Sequence, residues 1–204
     1  MNQNEKKALD SSISDLNETQ TRIINAAFKV VDTFSVSGTR MHLIAEEAGF
    51  SSAALHYHFK TKDELMQALL DYIHDVYGVT RKNKLSHSPK NLEGQMSAFL
   101  TQNENYTIRE PEYFRVQMDF WGMCHSNNAI HDSIRNSYNN WYEDILSMLN
   151  CYVPEANTDD LAFVARSLVA LMIGFSVMYL ADERSFDLKE FDNRVVALFS
   201  DYLK

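Results

Sequence analysis

Gly49 lies between two short segments with a helical apolar pattern, and this arrangement restricts the fold more than any other feature of the sequence. The segments cover residues 39–48 and 52–59. Two short helices can cross at a steep angle only if the contact residue is small and the turn residue tolerates positive φ. Ala45 and Gly49 meet those two needs. The pattern therefore predicts a helix-turn-helix, with Ile44 and Leu55 as the apolar contacts that hold it to the neighbouring helices.

The rest of the chain is also patterned as helix. Apolar residues recur at i, i+3, i+4 and i+7 from Thr21 until Ser35 and Gly38 end the pattern. Thr61 and Glu64 have capping-box spacing ahead of a further apolar stripe. Later helices are predicted over residues 92–108, 111–123, 129–149, 160–181 and 188–203. With only 6 Gly and 3 Pro in 204 residues and no period-two alternation, the prediction is an all-α protein of about nine helices.

Charge is distributed unevenly along the chain. The net charge of −9 argues against a polyanionic partner for the chain as a whole, because phosphate binding is driven by basic surface. Residues 21–84, however, carry eight basic and seven acidic side chains, whereas residues 85–204 carry nine basic and 17 acidic ones. The gradient indicates either a division of labour between two parts or an incidental pattern. We predict a mobile arm over residues 1–19, a first domain over 20–66 and a second over 67–204.

Cysteine usage and hydropathy favour a cytoplasmic protein. The chain has two cysteines, and its amino end lacks the pattern of a secretory leader. Its longest apolar run, residues 168–181, is 14 residues long, below the ~18–20 that a membrane-spanning helix needs. This run is predicted to be a buried core helix and not a membrane anchor. His56 and His58 point apart on a helix, so no metal site is expected.

Residues 39–65, TRMHLIAEEAGFSSAALHYHFKTKDEL, look like the DNA-binding domain of the TetR family of transcriptional repressors. The resemblance extends over about residues 21–70. It rests on G-T-x-M before the first short helix, I-A-x-x-A-G at the turn, L-x-Y-H-F at the end of the recognition helix and K-x-K-x-E-L after it. It implies a non-enzymatic, homodimeric repressor that binds double-stranded operator DNA and is released by a small-molecule effector, with no cofactor. One position departs from the family pattern, because His56 stands where an aromatic Tyr is common.

The resemblance assigns DNA contacts to residues around the two short helices. A hydroxyl and a guanidinium at the start of the first short helix suit a backbone phosphate, and small side chains at the start of the second allow close approach to base edges. A cation in the first turn of a helix is disfavoured by ~0.3–1 kcal/mol, which a nearby phosphate would explain. The assigned residues are Thr39, Arg40, Ser51, Ser52, Ala53, Ala54, His56, Tyr57 and Lys62. The alternative for each is a structural role: a helix cap at Ser51, packing at Tyr57 and a solvated Lys62.

Large soft side chains are concentrated between residues 106 and 141, and in a family that couples DNA release to a small molecule they would line a pocket. The candidate effector residues are Tyr106, Phe114, Met118, Trp121, Tyr138, Trp141 and Phe175. The alternative is that they form only the core. The pattern favours a hydrophobic or cationic compound without identifying it.

The helix over residues 160–181 is apolar over more than the ~100° stripe of a one-sided surface helix, so it must bury two faces. Together with the final helix it would form a four-helix interface with a second copy. The predicted interface residues are Leu168, Leu171, Met172, Val195, Leu198, Phe199 and Tyr202. A rival hypothesis is an α-helical small-molecule-binding protein or enzyme that has lost DNA binding, motivated by His56 and the net acidity.

Overall fold

A computed structural model describes residues 16–204, and in that range the chain forms nine α-helices and no β-strand. The predicted all-α class and helix number are confirmed. The helices are α1 (Glu18–Gly38), α2 (Met41–Ala48), α3 (Ser52–His58), α4 (Lys62–His87), α5 (Leu92–Glu104), α6 (Pro111–Trp121), α7 (Asn128–Tyr152), α8 (Thr158–Ala181) and α9 (Leu188–Tyr202). A π-helical segment, Asn105–Arg109, follows α5, and a 3₁₀ turn, Glu183–Ser185, precedes α9.

Helix α1 begins earlier than the apolar pattern indicates. Asn17 caps it by accepting a hydrogen bond from the Gln20 amide, and the Gln20 side chain accepts one from the Asn17 amide in return. This capping box satisfies two of the N–H groups that a helix start leaves free. Residues 18 and 19, which the sequence predicts to belong to the N-terminal arm, therefore form the start of α1. Residues 1–15 of that predicted arm lie outside the described part of the chain.

Contacts within the chain define two compact units. The first combines the N-terminal helices through residue 79 with residues 112–135, and the second combines residues 80–111 with 136–204. Helices α4 and α7 each contribute residues to both units. The sequence places a domain boundary at residue 66, whereas these contacts group residues 67–79 and 112–135 with the N-terminal helices.

The core of the first unit supports the two short helices from beneath. Ile44 on α2 and Leu55 on α3 are fully buried, as are Ile24 on α1 and Leu65 and Leu69 on α4. Burying a Leu or Ile side chain contributes about 1.5–3 kcal/mol. The apolar positions that the sequence predicts for this contact are thus buried in the core of the first unit.

The core of the second unit is built from α5, α7, α8 and α9. Phe99, Ile145, Leu149, Val164 and Leu168 are among its fully buried side chains. Helix α8 is long and apolar enough to cross a membrane by length and composition, and 44% of its most apolar window is buried within the chain. Its apolar character therefore serves the core over part of its surface and leaves another part exposed.

The helix predicted over residues 92–108 changes type before it ends. The last turn is π-helical from Asn105 to Arg109, a widening that inserts one residue into the helical repeat. It buries Tyr106 and Thr107, and the Thr107 hydroxyl lies 2.6 Å from that of Ser176 on α8. Asn103 donates to the same Ser176 hydroxyl at 3.0 Å. These cross-helix hydrogen bonds accompany the change, which apolar periodicity alone does not reveal.

Candidate nucleic-acid interface and associated sites

The turn between α2 and α3 has the geometry that the sequence predicts. Gly49 has φ 69° and ψ 33°, and its amide donates to the carbonyl groups of Ala45 and Glu46. The positive φ favours glycine here, whereas the only neighbour that a Cβ would meet is the mobile end of the Arg22 side chain, whose Nη2 would lie 2.9 Å away. Ser51 then caps α3 by accepting a hydrogen bond from the Ala54 amide at 3.2 Å.

Helix α3 presents most of the predicted DNA-contacting residues to solvent. Ser51, Ser52, Ala53 and His56 are exposed, Tyr57 has 82% of its surface accessible, and Ala54 is half-buried. Nδ1 of His56 lies 3.2 Å from the carbonyl oxygen of Lys60, just beyond the helix end. The exposed residues form one surface on a helix whose opposite face is anchored by Leu55.

Thr39 departs from its predicted position at the surface. It is fully buried and ends α1, with both its amide and its hydroxyl donating to the carbonyl oxygen of Ser35, at 3.0 and 2.7 Å. Arg40 is exposed and is the residue that precedes α2, and its Nη1 donates to the carbonyl groups of Ser37 and Thr39. In this conformation the Thr39 hydroxyl is hydrogen-bonded to the chain's own backbone, at the carbonyl that also accepts from the Thr39 amide.

Lys62 has two structural partners that its place in the sequence does not indicate. Its Nζ donates to the carbonyl oxygens of Val36 at 2.6 Å and Thr39 at 2.8 Å. Burial lowers the pKa of Lys62, and the nearby Arg40 guanidinium lowers it further, while Asp63 and Asp119 act in the opposite direction. These carbonyls account for a cation in the first turn of α4, and they leave the third N–H of the ammonium group available.

Helix α6 adds two charged contacts to α1 that the sequence does not indicate. The Asp119 carboxylate accepts a hydrogen bond from the Val36 amide. Arg115, one turn earlier, donates to both carboxylate oxygens of Asp32, at 2.9 and 3.0 Å. Both pairs join residues 83 positions apart, so periodicity and local motifs offered no signal for them.

The predicted effector residues are divided between the two units. On α6 in the first unit, Phe114 is buried and Met118 and Trp121 are half-buried, and their spacing places them on one face of the helix. In the second unit, the Tyr106 hydroxyl lies 2.6 Å from that of Thr80. The remaining candidates are Tyr138, Trp141 and Phe175.

Those remaining candidates have different surroundings. Tyr138 and Trp141 are half-buried on α7, and the Arg81 guanidinium lies 5.8 Å from the centre of the Trp141 ring. Phe175 instead contacts Phe186 and Phe191, with ring centres 5.1 and 5.4 Å away. Phe175 thereby belongs to an aromatic cluster beside α9.

Two acidic side chains meet between α5 and α9 in the second unit. Burial, followed by the proximity of Asp192, raises the pKa of Glu104 to about 7. Burial also raises the pKa of Asp192 to about 6, although its hydrogen bond with Glu104 acts in the other direction. Two carboxylates this close cannot both be charged without a cost, so the pair retains a proton near neutral pH.

The predicted interface residues fall into two groups. One group is buried in the core of the second unit and is not available to a second copy: Leu168, Met172, Val195 and Phe199. Leu198 and Tyr202 are exposed, and Leu171 is half-buried. Four more apolar side chains of α8 are exposed that the apolar pattern does not single out: Phe163, Val177, Met178 and Leu180.

A shallow groove between α8 and α9, here called the α8/α9 groove, is lined by the exposed group together with part of the aromatic cluster. Its lining includes Leu171, Gly174, Phe175, Met178, Leu198 and Tyr202. Among residues 16–204, nothing lies within 4 Å of a Cβ built at Gly174. The groove is therefore open at this glycine.

Two family models match the chain. One described as "Bacterial regulatory proteins, tetR family" matches residues 23–69, which contain α2 and α3. Another, described as "BetI-type transcriptional repressor, C-terminal", matches residues 93–204, more than half of the chain. Together they cover the helix-turn-helix and the helices of the second unit.

Individual transcriptional regulators are also similar to this chain. An HTH-type transcriptional regulator in the dhlA 5′ region of Xanthobacter autotrophicus is 24% identical over 81% of this chain and 82% of that protein. The nicotine-responsive transcriptional repressor HdnoR of Paenarthrobacter nicotinovorans is 29% identical over 79% of this chain and 83% of that protein. A regulator from Saccharomonospora viridis, solved in complex with choline, shares the fold with a TM-score of 0.77 and 19% identity, over 90% of this chain and 96% of its own.

Proposed function

Since this chain belongs to the TetR family of bacterial transcriptional regulators, we propose that it is a ligand-responsive repressor that binds a pseudo-palindromic operator as a homodimer. A small-molecule effector releases it from DNA. The protein acts in the cytoplasm and catalyses no reaction.

The observation that carries this proposal is that α3 exposes one face to solvent while Leu55 on its other face is buried. Ser52 and Ala53 at the start of the helix are small enough for close approach to base edges, and Tyr57 presents a hydroxyl to a phosphate. Arg40 and the third N–H of Lys62 supply positive charge in the same unit. Local basic charge of this kind allows DNA binding despite the net charge of −9.

The homodimer rests on the exposed apolar surface of α8 and α9. Met178 and Leu198 are more than half exposed, and the adjoining α8/α9 groove is apolar and open at Gly174. A second copy related by a twofold axis would cover this surface with the same surface of its own. Two α3 helices would then reach successive major grooves about 34 Å apart.

The effector is proposed to be a small organic amine or cation. One relative is nicotine-responsive by name and a protein of similar fold was solved with choline. Aromatic side chains attract cations through their ring faces, and the candidate effector residues Tyr106, Tyr138 and Trp141 are of this type. Release requires the effector to bind the DNA-competent and DNA-incompetent conformations unequally. Helix α4, which contributes to both units, is the element proposed to carry the change.

A titration of the protein against the DNA upstream of its own gene tests the proposal. We expect binding that weakens steeply between two salt concentrations, because phosphate contacts release counterions. Adding choline or nicotine to the complex then tests the effector class. Saturable binding of either amine without any DNA binding at low salt would contradict the repressor and favour a small-molecule-binding protein.

A further inference from the structure

Helix α1 is kinked at Ser35, near its carboxyl end, in a conformation that this residue does not favour. Ser35 has φ 61° and ψ 167°, and it is the only non-glycine residue with positive φ in residues 16–204. Such a conformation costs an ordinary L-residue free energy and persists only when its surroundings hold it. Val36 and Thr39 in the same turn are buried, so their backbone groups need partners within the protein.

Opposite charges from two other helices hold Val36 by its backbone. The carboxylate of Asp119 on α6 accepts the hydrogen bond from the Val36 amide, and Nζ of Lys62 on α4 donates to the Val36 carbonyl oxygen at 2.6 Å. Lys62 also binds the Thr39 carbonyl. Thr39 is followed by Arg40, which precedes α2. These contacts therefore hold the backbone at the point where the chain passes from α1 to the helix-turn-helix.

The position of Asp119 on α6 relates this turn to the candidate effector residues. Phe114, Met118 and Trp121 lie at i, i+4 and i+7 on one face of α6. Arg115 and Asp119 occupy the neighbouring face, and both contact α1. A shift or rotation of α6 would therefore move the carboxylate that holds the turn.

We propose that Asp119 is a positioning residue for DNA binding, and that a movement of α6 which withdraws its carboxylate from Val36 weakens the grip on the operator. The inference rests on the proposed DNA-binding function. Without Asp119 the Val36 amide is buried and unpaired, and the strained turn relaxes into other conformations. The apparent dissociation constant then rises in inverse proportion to the population of the binding-competent turn.

The test compares three single variants on a double-stranded sequence that the wild-type protein selects from a random DNA pool. D119A should weaken binding about tenfold, the effect expected from an unpaired buried amide. D119N keeps an oxygen that can accept the hydrogen bond and should stay within about twofold of wild type. D32A removes the other charged contact between α6 and α1, the ion pair with Arg115, without touching the turn, and should also stay within about twofold.

Hydrogen exchange at the Val36 amide provides a readout that is independent of DNA. Exchange should accelerate in D119A and remain slow in D119N and D32A. The double variant S35G/D119A should recover part of the lost DNA affinity, because glycine tolerates the conformation of residue 35. If D119A alone folds poorly, this double variant takes its place in the comparison of DNA affinity.

The outcomes separate the inference from the function on which it rests. If the wild-type protein selects no DNA sequence, the proposed function fails, and the positioning role fails with it. If the wild type binds and D119A binds equally well with unchanged Val36 exchange, only the positioning role is overturned. Equal losses in D119A and D32A would also overturn it, because they would show that general packing of α6 against α1 matters and the turn does not.

Discussion

Nζ of Lys62 lies 2.6 Å from the carbonyl oxygen of Val36, so the first residue of α4 closes the carboxyl end of α1. We expect K62A to lower the free energy of unfolding by about 1–2 kcal/mol, because two carbonyl groups lose a charged donor. If the third N–H also meets phosphate, the slope of operator affinity against salt falls by roughly one per subunit. Chemical denaturation and salt titrations measure the two effects.

The exposed Lys60 provides the matched control for that variant. K60A removes the same charge two residues away without disturbing the carbonyl contacts, so its unfolding free energy should equal that of the wild type. A K62A protein as stable as K60A would contradict the structural role of Lys62. A salt slope unchanged in K62A would remove it from the proposed DNA interface.

Tyr57 should matter to DNA binding and not to folding. Its side chain is 82% exposed, so Y57F should leave the unfolding temperature unchanged. Loss of a hydroxyl contact to phosphate should weaken operator binding by roughly 1 kcal/mol, about fivefold. Fluorescence anisotropy with labelled operator and a thermal melt of the same samples measure both. Unchanged affinity in Y57F would show that the hydroxyl faces water in the complex.

The acidic pair in the second unit predicts a pH dependence of stability. Glu104 and Asp192 have pKa values raised to about 7 and 6, so the folded state binds protons more tightly than the unfolded chain. The resulting stabilisation is complete below the ordinary carboxyl pKa values and is lost as pH rises toward 7. E104Q removes this loss because glutamine has no proton to release. The unfolding temperature of E104Q minus that of the wild type should therefore increase as the pH rises from 5 to 8.

Other titrating groups are the same in both proteins and cancel in that comparison. His74 is one of them, because burial lowers its pKa to about 4 and makes stability fall on acidification instead. The exposed Glu93 on the same helix as Glu104 is the matched control, and E93Q should track the wild type at every pH. An E104Q protein that also tracks the wild type would mean that the two carboxyl groups do not share a proton.

The helix-turn-helix could be predicted from the sequence because its determinants are local. Gly49 supplies the positive φ, Ser51 caps α3, and Ile44 and Leu55 fall at helical spacing, so each signal lies within a few residues of its effect. The Thr61 hydroxyl likewise accepts a hydrogen bond from the Glu64 amide, as its spacing predicts. Here local preference and tertiary packing agree.

Contacts between distant residues could not be read in the same way. Nothing near Asp119 in the sequence indicates that it accepts a hydrogen bond from Val36. Apolar periodicity also does not say which side of a broadly apolar helix faces inward. For that reason the pattern predicts Leu168 and Met172 at the interface, although they are buried in the core, and omits Met178, which is 58% exposed.

If the protein forms the proposed dimer, a charge on the exposed surface of α9 should lower its molecular mass in solution. L198E places a charge where the account expects an apolar partner, so it should convert the dimer to monomer, as measured by sedimentation or light scattering. F34E is the matched control, because Phe34 on α1 is a comparably exposed apolar side chain, at 51% against 62% for Leu198, in the other unit. Dissociation in neither variant would place the interface elsewhere.

A hydroxyl-radical footprint of the wild-type protein on DNA containing its selected sequence tests the central claim most directly. The account predicts two protected segments related by twofold symmetry, with centres about one helical turn, or 10 base pairs, apart. Protection should vanish when Ser52 and Ala53 are both replaced by glutamate, which places negative charge at the start of α3. A single protected segment, or unchanged protection in that double variant, would contradict the assignment of α3 as the reading helix of a dimer.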